Sequence, residues 1–323
     1  MDNNGLLEAH QYAYRKNRNL TQGLLHYTTS VLAERSRGNF TVSTFVDLQG
    51  AFDKVWRNGV IYKLHQAGLR GRLLLTLASF LTDRFAKSMA NTHISEWIEI
   101  LIGVPQGSVL SAILFIFYIT DLTFTIPAPF SYADDLTTRN SAPDLDTCIT
   151  LAKNDLTNIA KWCHKWGQAY HKTEIIVHAP VGTATANMEM DGIEIKQVKS
   201  RRLLGVIIDE RLTFNEHVDF IAGRTSACLN GLAFILKHTS CESGLAICNA
   251  LITQRMTSTY PIWCACKSTK PLETVYRRML LKCTKAFIST SARSIRSLHP
   301  HNAIRAQIDR KPPKRMGQTA TTP

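Results

Sequence analysis

Three carboxylates occupy positions where a charge is costly. Asp47 closes the apolar run Phe45-Val46-Asp47-Leu48, and Asp134 and Asp135 stand side by side within Phe130-Ser131-Tyr132-Ala133-Asp134-Asp135-Leu136. Adjacent acids in apolar surroundings repel one another and lose hydration. A divalent cation removes both penalties, and Mg²⁺ prefers a few carboxylates, water and substrate phosphates to an all-protein cage. A pair of such ions can activate an attacking hydroxyl and stabilise the leaving oxygen in phosphoryl transfer. Neighbouring residues of a regular strand point to opposite faces. A turn at Ala133-Asp134-Asp135 would break that alternation and let both acids approach one site. Taken alone, the Asp134-Asp135 pair reads first as two solvated acids in a surface loop.

The elements that must position these acids follow from hydrophobic periodicity. Residues 40–48 alternate and are rich in β-branched and aromatic side chains, which predicts a strand ending at Asp47. Residues 6–34 read as largely helical, with Thr21 as a cap, and residues 50–69 and 73–81 as further helices. Residues 94–102 have strand character. The Gly-x-Pro and Gly-Ser steps of residues 103–108 predict a loop, followed by a helix over 109–122. Residues 127–136 are short and extended, and residues 146–166 form an amphipathic helix. Strands are expected at 174–178 and 188–195, with Asp191-Gly192 as a hairpin turn. Another strand is expected at 203–208, and the pattern is helical from Asn215 almost to Phe287.

Composition sets the class. The chain has 323 residues, 45% hydrophobic and 20% charged, with 17 Gly and 11 Pro, which excludes wholesale disorder and collagen-like structure. The most apolar run, residues 109–126, contains Asp121 and four Ser or Thr positions, so it reads as buried core and no membrane partner is expected. No basic segment followed by an apolar stretch opens the chain, so no secretory signal is expected and the location is read as intracellular, nucleus and cytoplasm not being distinguished. The eight Cys show no repeating spacing and read as reduced core thiols. The net charge of +13 is unevenly placed: residues 267–323 hold 13 Lys and Arg against two acids, while the rest is nearly neutral. Such a segment suits a polyanionic partner such as nucleic acid, or forms a solvated tail.

Five segments bear a resemblance when taken in order. Residues 45–55, Phe-Val-Asp-Leu-Gln-Gly-Ala-Phe-Asp-Lys-Val, resemble the first catalytic motif of reverse transcriptases of non-LTR, LINE-type retrotransposons. Gly103-Val104-Pro105-Gln106-Gly107-Ser108 is similar to their template- and nucleotide-positioning loop. Tyr132-Ala133-Asp134-Asp135 resembles their catalytic box, Lys172-Thr173-Glu174 the following Lys-Thr motif, and residues 203–217 the segment leading into the thumb.

This resemblance implies an α+β fold, the right-hand polymerase palm, with an antiparallel sheet and helices packed on one face. It implies partial fingers at 1–40, the palm at 41–200, a thumb-like helical region at 201–288 and a basic, disordered tail at 289–323. The implied activity is RNA-directed DNA polymerase, a nucleotidyltransferase using an RNA template, a DNA primer and deoxynucleoside triphosphates. Asp47 and Asp134 would hold a pair of Mg²⁺ ions, or Mn²⁺ in their place, with Asp135 assisting. Phe52 would screen the sugar 2′ position, although its type is equally that of a core residue. Gly103, Pro105, Gln106, Gly107 and Ser108 would contact nucleotide and template. Lys172 would meet the leaving pyrophosphate, and Arg15, Lys16 and Arg18 template phosphates. Asp53 would order the palm, and Tyr132 would pack beside the acids.

Some features depart from the family pattern. Set against the family pattern, this sequence is expected to lack the upstream fingers motifs with their nucleotide-gripping Arg, an endonuclease domain before them and a zinc knuckle after. Gly167-Gln168-Ala169-Tyr170-His171 is a shorter spacer than usual, so the local register is expected to be altered, and Ser111-Ala112 stands where Ser-Pro is common. These departures suggest a truncated copy, and the alternative function is an inactive remnant that only binds nucleic acid. Cys264-Ala265-Cys266 with Cys241 and Cys248 does not match zinc spacing. Trp162 and Trp166, four residues apart, read as one helix face rather than a base-stacking platform. The sequence sets no oligomeric state.

Overall fold

Asn19 opens the first helix, α1 (Leu20–Ser36), by a capping box: its Oδ1 accepts from Gln22 N at 2.8 Å, and Gln22 Oε1 accepts from Asn19 N at 3.1 Å. The cap is therefore Asn19 and not Thr21. In this computed structural model, which describes residues 7–264, 266, 268–287, 289 and 290, residues 7–19 are turns rather than helix. Tyr14 and Asn17 take left-handed φ values of 52° and 59°, which a helix cannot contain. The chain divides into two units, residues 1–200 and 201–323.

In the first unit, β1 (Phe40–Leu48) forms where the alternation predicts. The helix expected from residue 50 starts later, as α2 (Arg57–Gln66), because residues 50–54 turn on the Gly50 carbonyl, which accepts from Asp53 N and Lys54 N at 2.9 Å. Then comes α3 (Gly71–Leu81). The single strand expected at 94–102 is instead divided among short pieces, β2 (Phe85–Ala86), β3 (Met89–Ala90), β4 (His93–Ile94) and β5 (Ile98–Glu99). Asn91, at φ 54°, reverses the chain, so β3 pairs with β4 and β2 with β5. The apolar run becomes α4 (Val109–Phe124), buried on most of its circumference.

After it, β6 (Pro129–Tyr132) and β7 (Asp135–Ala142) form a hairpin. β7 escapes a reading by hydrophobicity because Thr137, Thr138 and Asn140 are polar yet buried between neighbouring strands. α5 (Leu145–Trp166) ends on Gly167, whose left-handed φ of 67° stops the helix. β8 (Tyr170–His178) begins four residues before the expected start at 174, and β9 (Met188–Met190) and β10 (Ile193–Gln197) close the unit around the Asp191-Gly192 turn.

The sheet order is β6-β7-β1-β8-β10-β9, antiparallel except between β8 and β10. Alternate residues of β1 face opposite layers. Val42, Val46 and Leu48 join the core with Leu114, Phe115 and Tyr118 of α4 and Leu156 and Ile159 of α5. Ser43 and Phe45 face α1 instead: Tyr27 Oη donates to Ser43 Oγ at 2.8 Å, and its ring lies 6.3 Å from Phe45 and 6.0 Å from Phe130. The helical layer of α4 and α5 is thus joined by one helix on the reverse side of β1.

In the second unit, the strand expected at 203–208 is a hairpin, β11 (Ser200–Leu203) and β12 (Val206–Asp209), because Leu204 and Gly205 take φ values of 48° and 90°. Asp209 accepts from Arg211 N and Thr213 N at 3.0 Å and from Phe214 N at 2.7 Å, holding the turn that enters α6 (Asn215–Gly231). Helices α7 (Ala233–His238), α8 (Cys241–Cys248), α9 (Gln254–Thr257), α10 (Tyr260–Trp263) and α11 (Lys270–Thr284) follow, with a π turn at Asn249–Thr253 between α8 and α9. All eight Cys are free thiols, and Cys148, Cys163, Cys248 and Cys283 are buried. Apart from residues 289 and 290, the tail expected at 289–323 lies outside the described residues. No described helix is long and apolar enough to cross a membrane.

One buried cation ties the helical layer together. Lys63 on α2 is 9% exposed, donates to Asp121 Oδ1 on α4 at 2.7 Å and to the Tyr118 carbonyl, and lies 3.9 Å from the Trp166 ring centroid and 5.0 Å from that of Trp162. Burial pushes its pKa down to about 8, against the pull of Asp121. Both tryptophans lie on one buried face of α5, as expected. Lys63→Met should cost about 2–3 kcal/mol, less than the ~3.5–5 kcal/mol of a desolvated cation–π contact plus a charged hydrogen bond, because the variant is spared the burial cost of the ammonium. Urea unfolding at pH 7 measures it; a change within about 0.5 kcal/mol would mean that the methylene stem alone carries the packing.

Candidate active site

Strand pairing delivers the acids. Asp47 near the end of β1 stands opposite Asp135, the first residue of β7, in the antiparallel ladder. Tyr132 pairs with Asp135, so Ala133 and Asp134 form a two-residue turn, and Ala133 takes a left-handed φ of 55°. That turn projects Asp134 off the ladder. Asp47 and Asp134 both line one cleft of about 830 Å³, and Asp135 lies outside its lining. Both cleft acids are half-buried.

Among the described residues, neither acid of the cleft sits in a salt bridge. Burial raises the Asp134 pKa above the usual carboxylate range, and the Asp47 charge raises it further. No group of three or more His, Cys, Asp or Glu converges as a ready metal site among the described residues. The donor set is two carboxylates on an open cleft, which suits a hard cation that completes its shell with water and substrate phosphates.

The opposite wall is the loop at residues 103–108, bolted to the segment after β1. Gly103 N donates to Val55 O at 2.8 Å, Val104 N to Phe52 O at 2.9 Å, and Gln106 Nε2 to Asp53 Oδ1 at 2.8 Å. Gln106, Gly107 and Ser108 line the cleft; Gly103 and Pro105 do not. Gly103 has a packing reason of its own: its φ is +82°, and a Cβ there would meet the Asp53 carbonyl oxygen at 2.6 Å. Its own carbonyl accepts from Arg84 at 2.9 Å and Arg57 Nε at 3.2 Å. Phe52 serves two surfaces at once, lining the cleft and stacking on Phe115 at 4.3 Å.

Sequence reasoning missed the clamp on the acidic turn. The segment before α1 runs beside β6, with Tyr12 N donating to Ser131 O at 2.9 Å and Ser131 N to His10 O at 3.1 Å. Gln11, 2% exposed, accepts on Oε1 from Ala13 N at 2.9 Å and from Ala133 N at 3.1 Å. One buried amide oxygen thus holds the strained residue before Asp134. No periodicity marks Gln11, because its partner lies 122 residues away. Tyr14, exposed on the cleft rim, was missed for the same reason.

Other expected residues lie elsewhere. Lys172 is exposed on a separate groove with Glu174, Glu194 and Lys196, outside the acid-lined cleft. The register of β8 against β1 shifts between Phe45 and Asp47, where Lys172 takes φ 52°, so β8 carries a bulge at residues 172–173, just after the short spacer. Arg15 donates to Glu8 O at 2.6 Å and so braces the clamp segment; Lys16 is exposed, and Arg18 lies over the Tyr12 ring at 5.3 Å.

The family described as reverse transcriptase (RNA-dependent DNA polymerase) matches residues 2–208. The chain is 27% identical over 252 residues to a probable RNA-directed DNA polymerase from transposon BS of Drosophila melanogaster, covering 73% of this chain and 27% of that protein. It is 24% identical over 219 residues to the RNA-directed DNA polymerase from mobile element jockey of the same organism, covering 64% and 24%. A probable RNA-directed DNA polymerase from transposon X-element is 26% identical over 264 residues, covering 78% and 28%. The chain therefore spans about a quarter of the length of these curated relatives. Among solved structures, telomerase from Candida albicans in complex with a fragment of telomeric RNA is similar at a TM-score of 0.39 and 14% identity, over 86% of this chain and 52% of that one.

The loop geometry separates two glycines of the same sign of φ. Gly103→Ala should cost clearly more than the ~1–2 kcal/mol of a left-handed alanine, because the obstructing atom is backbone. Gly107→Ala, at φ +90° in open space, should cost only about that penalty. Chemical denaturation of both variants checks the difference; equal losses would remove the packing account of Gly103.

Proposed function

The chain belongs to the reverse transcriptase (RNA-dependent DNA polymerase) family, and on that premise we propose that its first unit catalyses RNA-directed DNA synthesis. The reaction is attack of a DNA primer 3′-hydroxyl on the α-phosphate of a deoxynucleoside triphosphate, directed by an RNA template, in an intracellular LINE-type element. The observation that carries this reading is the pairing of Asp47 with Asp134 on one cleft whose far wall is the Gln106–Ser108 loop. The palm at 41–200, partial fingers at 1–40 and thumb-like region at 201–288 are part of the same proposal.

Asp47 and Asp134 would hold Mg²⁺, with Asp135 supporting the ladder beside them. When bound, the metal supplies charge neutralisation for the phosphates and acidifies the attacking hydroxyl. The chain's own contribution is alignment. Asp53 fixes the Gln106 amide, so Gln106 presents a set orientation to the nucleotide pocket. The Phe52 ring, braced by Phe115, forms a rigid wall where the sugar would pass. Gln11 is a positioning residue, setting the turn from which Asp134 projects. Pre-set geometry of this kind converts binding into rate.

Primer extension on an RNA template with four deoxynucleotides tests the proposal. Asp134→Asn should lower extension at least ~10²-fold, as expected on losing a preorganised charge in the transition state. Extension by the parent should fall as pH drops and Asp134, whose pKa is raised, takes up its proton. Extension unchanged in Asp134→Asn would overturn the reading. If neither protein extends the primer while both bind it in a salt-sensitive way, the chain is a binding remnant.

Thermal unfolding gives an independent readout. Because the folded state raises the Asp134 pKa, it binds the proton more tightly than the unfolded chain, so this group's contribution falls as pH rises above its unfolded value. Without metal, Asp134→Asn should therefore raise Tm at pH 7, by ~2–4 °C for each kcal/mol of repulsion relieved. Mg²⁺ should raise the parent Tm more than that of the variant; equal shifts would argue against these carboxylates as ligands. Gln11→Met should lower kcat by up to about 10²-fold while leaving primer–template affinity unchanged. A parallel loss of affinity would assign Gln11 to general folding instead.

A further inference from the structure

The second unit contains a concave pocket of about 250 Å³ whose rim carries Arg202, Arg224 and Arg255 and whose lining includes His217, Ser258 and Thr259. We propose that this pocket binds a backbone phosphate of a nucleic-acid strand.

Charge supports it first. Among the described residues, no acidic side chain lines the pocket. Two of the guanidinium groups share one aromatic ring, with Arg202 Cζ at 5.3 Å and Arg224 Cζ at 5.6 Å from the Phe220 centroid. Like charges gathered without a counter-charge repel, and an anion between them removes that cost. Arginine's planar fork matches phosphate oxygens.

The floor supplies a second, independent observation. His217 is 2% exposed. Its Nδ1 accepts from Ile207 N at 3.3 Å, so the ring proton resides on Nε2. That Nε2 is buried and has no hydrogen-bond partner among the described residues. Burial, reinforced by Arg202, pushes the His217 pKa down to about 4, so at neutral pH the ring is an uncharged N–H donor. A buried donor without a partner calls for an acceptor, and a phosphate oxygen between the arginines would provide one. The left-handed pair Leu204-Gly205 contributes to the lining. The π turn at Asn249–Thr253 sets the register of α9, which carries Arg255.

The choice of a phosphodiester over a free phosphate rests on the polymerase reading of the first unit; the pocket itself does not. The test is binding of labelled single-stranded DNA to the full chain across a salt series, with Arg202→Gln, Arg224→Gln and Arg255→Gln combined in one variant. A charge-matched variant combines Lys237→Gln, Lys270→Gln and Lys282→Gln. The arginine variant should weaken binding tenfold or more and reduce the salt slope by ~0.7 for each phosphate it no longer neutralises; the lysine variant should do markedly less. His217→Phe, which keeps a ring against Trp263, should weaken binding without changing the slope. Equal effects of the two triple variants would show a general positive field and overturn the proposal. So would polyglutamate competing as well as DNA, or inorganic phosphate occupying the pocket, read by the His217 Nε2–H resonance, while DNA leaves that resonance unmoved. Because binding is read without extension, failure here leaves the Asp134→Asn result intact, and failure of that result leaves this one readable.

Discussion

The antiparallel register between β1 and β7 is the constraint on which the first unit depends. Asp47 opposite Asp135 places the β6–β7 turn at the end of β1, and only there can Asp134 reach the same cleft as Asp47. A slip of one residue would move the whole alternate set of β1 side chains to the other face. Both faces of β1 are committed, Val42 and Val46 to the α4–α5 core and Ser43 and Phe45 to α1, so burial on each side enforces the register that brings the acids together.

What that register assembles is an unfavourable object by itself. Two half-buried carboxylates line one cleft without an ion pair among the described residues, and burial, with the Asp47 charge, raises the Asp134 pKa. The surroundings sustain it. Gln11 pins the backbone before Asp134, and the Gly103 loop is fixed by Asp53, Arg57 and Arg84. Strain and repulsion concentrated at one cleft, with rigid support around it, are expected where ligand binding supplies the missing compensation. The second unit repeats this logic with opposite charge: among the described residues, three arginines and no acid line a pocket with a buried donor that lacks an acceptor.

Several side chains that resemble pure core residues also form functional surface. Phe52 stacks on Phe115 while walling the cleft, and Gly103 carries a steric requirement although it does not line the cleft. The converse holds for Arg15, which is bound to a backbone carbonyl of the clamp segment. Motif position therefore does not separate residues that face a substrate from residues that hold the ones that do.

The strand carrying Asp47, the loop before α4, the turn at Ala133-Asp134 and the helix bearing Trp162 and Trp166 were legible from local pattern, because alternation, helical spacing and turn chemistry are properties of neighbouring residues. The order of the motifs made the family legible too. Local pattern misjudged the start of α1, the polar strand β7, and the single strands that proved to be hairpins at 83–99 and 200–209, where one or two left-handed residues redirect the chain. It could not show that Gln11 meets Ala133, that Gly103 abuts Asp53, or that Lys172 lies outside the acid cleft. Those relations are contacts between segments distant in sequence. They exist only once the sheet register and the packing of α4 and α5 have been chosen, and that choice is made by the burial of many side chains at once.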